Sequence, residues 1–115
     1  MKILSIVTAD PSTMQPPTPE KMEQMGALIH ELHSKGVLLD TGGAMDGSLE
    51  MKISRRNGSY EITDGPFTEA KEVVGGYALF EVAGREEAIA LTRRFLDLFG
   101  EGTCHLHEVS SAPEM

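Results

Sequence analysis

A single cysteine, Cys104, stands in this chain of 115 residues. No internal disulfide can therefore hold it, and stability must come from its own core or from a partner subunit. No apolar run approaches the roughly 20 residues that a membrane helix needs. The start, Met1 to Ala9, looks like the opening of a signal peptide, but Asp10-Pro11 stops it without a cleavage region. The expectation is a soluble cytoplasmic protein. Basic residues are also scarce: 10 Lys and Arg face 18 Asp and Glu, a formal charge of -8. Nucleic-acid affinity rests on cations that displace counterions from phosphates, and docking on anionic lipid needs the same charge. Neither partner is expected. What remains is 40% hydrophobic and 24% charged residues, the composition of a folded chain. The length suits one domain, 1–115, with 110–115 as a polar tail.

Lys2 to Thr8 is β-branched and aliphatic and too short for a helix, so it reads as a buried strand. Asp10 to Pro19 holds four prolines and reads as a loop. Thr18-Pro19 opens a helix, with Thr as N-cap and Pro at the first helical position. Met22, Met25, Leu28, Ile29 and Leu32 form its apolar stripe, and Lys35-Gly36 ends it. Val37-Leu38-Leu39 begins the next strand, which Gly42-Gly43 interrupts. Leu49, Met51 and Ile53 alternate with polar neighbours, a strand with one wet face. Asn57-Gly58 signals a type I′ hairpin, returning through Ser59 to Thr63. Asp64 to Phe67 breaks that strand, and Thr68 to Glu72 reads as a short capped turn of helix. Val74 to Val82 is a strand with a bulge or close backbone approach at Gly75-Gly76. Gly84 to Phe99 is the second helix, with a stripe through Ala88, Leu91, Thr92, Phe95, Leu98 and Phe99. Thr103 to Val109 is the last strand.

This order gives an α+β chain of the ferredoxin-like βαββαβ type, an antiparallel sheet with two helices on one face. The other face is bare in a monomer, so a homodimer is expected.

The string Asp64-Gly65-Pro66-Phe67-Thr68-Glu69-Ala70-Lys71-Glu72, followed by Gly76-Tyr77, resembles the signature of the DGPF branch of the YCII-related family. Gly36-Val37-Leu38-Leu39, Gly43 and Gly102-Thr103-Cys104 fit it too, so the resemblance spans about residues 1 to 110. It implies a dimeric α+β barrel, and some members are encoded beside sigma factors. The namesake YCII branch carries a His on the first helix and an Asp in an Asp-Pro-Tyr motif. Here the matching helix position is Gln24, and no Asp-Pro-Tyr string occurs.

The candidate ligand-binding residues are Asp64, Lys71, Glu72, Tyr77, His105 and His107. Asp64 has the chemistry to cap its own turn or to serve as a base. Lys71 suits a carboxylate or phosphate, and Glu72 suits proton transfer. If Cys104 and Leu106 face the helices, His105 and His107 face the barrel interior, as does Tyr77. No third ligand with matching spacing accompanies the two histidines, so neither metal nor haem is expected, and no other cofactor. Cys104 reads as a small core residue. The reading that follows is a protein that binds a small anionic ligand. The alternatives are a cofactor-free acid–base enzyme of the same superfamily and an interaction partner of a sigma factor.

Overall fold

A computed structural model of the chain describes residues 1–44, 49–67 and 72–110. The elements run β1 (Lys2–Ala9), α1 (Pro19–Ser34), β2 (Leu38–Gly43), β3 (Met51–Arg56), β4 (Ser59–Asp64), β5 (Val73–Glu81), α2 (Arg85–Phe99) and β6 (Thr103–Glu108). Four strands form one antiparallel sheet in the order β2-β5-β1-β6, the ferredoxin-like arrangement. The helices begin and end as their sequences direct. Lys21 N–H donates to Thr18 Oγ1 at 3.2 Å, which satisfies one orphan donor of the first turn of α1. Ala83 N–H donates to Glu87 Oε2 at 3.0 Å, so a side chain from inside α2 reaches back over its start.

Alternation along β1 fixes which side of the sheet meets the helices. Ile3, Ser5, Val7 and Ala9 are buried, while Leu4, Ile6 and Thr8 between them are only half-buried. Ile3 joins Phe80, Val82 and Ala88 in one core cluster, and Leu28, Leu32 and Leu38 make a second. Met22 stays 60% exposed, so the buried stripe of α1 starts one turn later than its pattern suggests. Periodicity tells which side of a helix turns inward, not where its contacts begin. Glu31 and Arg94 link the two helices through paired bonds of 2.9 and 3.1 Å.

Two bulges reshape the sheet, one at Leu39 on β2 and one on β5. On β5 the partners of Val7 and Thr8 are Gly76 and Val74, which leaves Gly75 as an extra residue, the bulge expected at Gly75-Gly76. A Cβ on Gly76 would lie 2.5 Å from the Gly42 carbonyl oxygen, so glycine is what allows β2 and β5 to approach here. Gly42 and Gly43 do not interrupt β2; both pair with β5, opposite Tyr77 and Gly76.

β3 and β4 do not join the main sheet. They form a separate two-stranded ribbon. Asn57 and Gly58 both have positive φ, 52° and 79°, as a type I′ turn requires. The expected dry face is absent. Ile53 and Ile62, paired across the ribbon, are 62% and 65% exposed, and Tyr60 is 70% exposed. Alternation makes one side of a ribbon apolar, but only a neighbouring layer can bury it.

Candidate functional site

The open side of the sheet carries most of the polar groups expected from the sequence. Ile6 on β1 pairs with Tyr77 on one side and His105 on the other. Leu4, two residues along, pairs with Leu79 and His107. Tyr77, His105 and His107 therefore share the face that turns away from the helices, as the period of two demands. Cys104 and Leu106, half-buried, take the helix side.

Thr8 ends this row, and three elements meet at its hydroxyl. Thr8 Oγ1 donates to Glu72 Oε2 at 3.4 Å and lies 3.5 Å from His105 Nε2. Both separations exceed the usual hydroxyl bond by about 0.7 Å. Groups of this kind often tighten only around a bound molecule. Glu72 sits in the bend just before β5, and the bulge at Gly75 shifts the register so that Thr8 pairs with Val74.

A second polar pair lies in the same sheet face. The Tyr77 hydroxyl donates to Asp40 Oδ2 at 2.8 Å, and Thr41 Oγ1 donates to the Tyr77 carbonyl at 2.8 Å. The Asp40 hydrogen bond, with burial and the carboxylate's charge adding to it, raises the Tyr77 phenol above its ordinary range. Tyr77 therefore stays a neutral donor far into alkaline solution.

The remaining expected residues divide. Asp64 ends β4, paired with Met51 in the ribbon, and joins neither cluster. Pro66 has no N–H for it to cap. The turn is closed instead by Gly65 N–H on the Glu50 carbonyl at 2.7 Å, where a Cβ on Gly65 would sit 2.9 Å from that oxygen. The capped turn proposed for Thr68 to Glu72 lies outside the described residues except for Glu72, and so does Lys71. Gln24, at the position matching the YCII histidine, is exposed on α1. Among the described residues no three His, Cys, Asp or Glu side chains gather as a metal set.

Two members of the site escaped the sequence reading. Thr8 was legible in principle, as the polar end of the Leu4-Ile6-Thr8 row. Asp40 was not, because a bulge decides which way it points.

Among the described residues no helix is long and apolar enough to cross a membrane. No curated protein matches the sequence. A family model, the YCII-related domain, matches residues 1–96, from before β1 into α2, with β6 and its two histidines beyond the match. On that match over most of its length, this chain belongs to the YCII-related domain family.

Proposed function

We propose that the chain is a small-molecule-binding protein of the DGPF branch, that it works as a homodimeric α+β barrel, and that a small anionic ligand sits on the open sheet face. The observation that carries this reading is the convergence of His105, Thr8 and Glu72 at one point. Histidine and threonine can both donate to an anion. Tyr77 lies across Ile6 on the same face, with its one hydroxyl hydrogen held by Asp40.

The surface area supports a partner. The chain exposes 8799 Å². A folded monomer of 12.5 kDa exposes about 6,200 Å² by size scaling. Its radius of gyration is 16.2 Å, against about 13 Å for a compact chain of this length. A second copy laid on the open face would cover Leu4, Ile6 and Leu79 and enclose the polar row between two sheets.

A thermal-shift screen of small carboxylates and phosphates tests the ligand. Anions are expected to raise the melting temperature, and His105→Gln should remove most of the response. Hits confined to neutral or cationic compounds overturn the reading.

Glu72 favours a second reading. A carboxylate beside an anion site costs affinity, whereas a carboxylate linked through a hydroxyl to histidine is suited to moving protons. Under this reading the chain is a cofactor-free acid–base enzyme, and Glu72→Gln binds ligand at least as well as the native chain while losing turnover. Weaker anion binding in Glu72→Gln would count against both readings.

A further inference from the structure

A cavity of about 280 Å³ lies on the opposite side of the sheet from His105, between that side and the two helices. Leu28 and Leu32 of α1, Leu91 and Phe95 of α2, and Val7 and Ala78 of the sheet form much of its wall. No charged side chain lines it among the described residues. An apolar hole that is left empty costs stability roughly in proportion to its volume, and water gains little in a space with so few polar partners. Such a space is suited to an apolar guest.

The floor is not wholly apolar. Among the described residues Ser5 is the one buried polar residue, and it lines this space together with Cys104, its diagonal neighbour on β6. A thiol is a weak hydrogen-bond partner, so the serine hydroxyl can still bond a guest. Burial pushes the Cys104 thiol up, which keeps the floor uncharged at neutral pH.

We propose that this cavity is a second binding site, for an uncharged apolar molecule of on the order of ten non-hydrogen atoms with one hydroxyl or carbonyl group. The size follows from volume: an apolar cavity of about 150 Å³ takes up benzene, so this one holds a guest nearly twice as large. The hydroxyl or carbonyl meets Ser5, and the hydrocarbon part lies between Leu28, Leu91 and Phe95. A charged headgroup finds no counter-charge here and is rejected. Tyr77 borders this space as well as the open face, while His105 lies on the other side of the sheet.

Cys104, the only cysteine of the chain, gives a site-specific readout. The probes are 1-octanol, octanoate and octane, and the measurement is the alkylation rate of Cys104 by N-ethylmaleimide. Octanol at saturation is expected to slow alkylation at least tenfold, while octanoate at equal concentration has little effect at neutral pH. Ser5→Ala should weaken protection by octanol several-fold and leave protection by octane unchanged. Ala78→Leu and, separately, Thr92→Leu fill the space from the sheet and from α2; whichever folds, by circular dichroism, should lose octanol protection. His105→Gln should retain it. An alkylation rate unmoved by octanol overturns the proposal, as does equal protection in a folded filled variant.

Discussion

The Tyr77 hydroxyl donates to Asp40 Oδ2 at 2.8 Å because β2 is one residue out of step with β5. Leu38 pairs with Phe80 and Asp40 with Leu79, which leaves Leu39 as the extra residue. Plain alternation from the buried Leu38 would turn Asp40 toward the helices, where a lone carboxylate is costly. The bulge turns it to the open face instead and gives it a donor.

Asp40→Asn should lower the Tyr77 pKa toward its ordinary value of 10.0, because the negative acceptor is gone. The sign for stability follows. A phenol whose folded pKa is raised contributes stability that is complete below 10.0 and is lost as pH rises through the raised value. The native chain should therefore weaken more steeply than the variant in strong alkali. An ultraviolet absorbance titration, with Tyr60 as the other phenol, checks it; identical curves for both proteins would refute the pairing.

Arg94 holds the Glu31 carboxyl down to about 2 from 4.5, chiefly through its hydrogen bonds. Stability from that depression is present above 4.5 and is lost as pH falls toward 2. Arg94→Ala should flatten the acid limb of the stability curve and return Glu31 to the ordinary carboxylate range. Both side chains face solvent, so the effect at neutral pH is small and fades with salt. Carbon-detected NMR titration of Glu31 measures it, and a Glu31 midpoint unmoved by Arg94→Ala would be the contrary result.

Gly76→Ala forces a methyl against the Gly42 carbonyl, where the space is 2.5 Å. The neighbouring atoms are backbone and cannot rotate aside, so β2 and β5 must part. The expected loss is about 1–3 kcal/mol. Urea unfolding should show a lower midpoint with an unchanged slope. Gly84→Ala, where a Cβ meets nothing within 4 Å, is the control and should cost far less.

Light scattering coupled to size exclusion should give twice the 12.5 kDa chain mass at micromolar concentration. Leu4→Lys places a charge at the middle of the open face without touching the core. It should yield a folded monomer. A native chain that elutes as a monomer throughout that range would end the barrel reading.

Lys71→Ala should weaken the response to small anions with little change in melting temperature of the free protein. A lysine acts as a point charge for a carboxylate or phosphate. A variant that responds to anions as the native chain does would remove Lys71 from the site.

Strand alternation carried much of the architecture. The alternation within Thr103 to Val109 and Val74 to Val82 is enough to put Tyr77, His105 and His107 on one face. Thr18-Pro19 and Asn57-Gly58 acted through local backbone chemistry and could be read directly. Asp40 could not be, because a bulge depends on the partner strand and leaves no mark in its own segment. At Asp64 the ribbon ladder runs one pair further, with Gly65 N–H on the Glu50 carbonyl, so the backbone and not the Asp64 side chain closes this turn. The exposed ribbon follows the same logic, since Ile53 and Ile62 make a sound apolar face with no layer against it.

The central position of β1 has a consequence for the order of folding. Its partners are the most distant in the chain: Lys2 lies opposite Glu81, and Ile3 opposite Glu108. β1 is made before the other elements of this fold yet has no partner until β5 is out. The ribbon and α1 rest on more local contacts and can form early. An apolar strand thus waits unpaired while the elements between are made, which is the interval when such a segment pairs with the wrong chain. Lys2, with Glu81 and Glu108 opposite the start of β1, marks that end of the strand with charge. The late closing of β1 between β5 and β6 is then the step that completes the sheet and creates both of its faces at once.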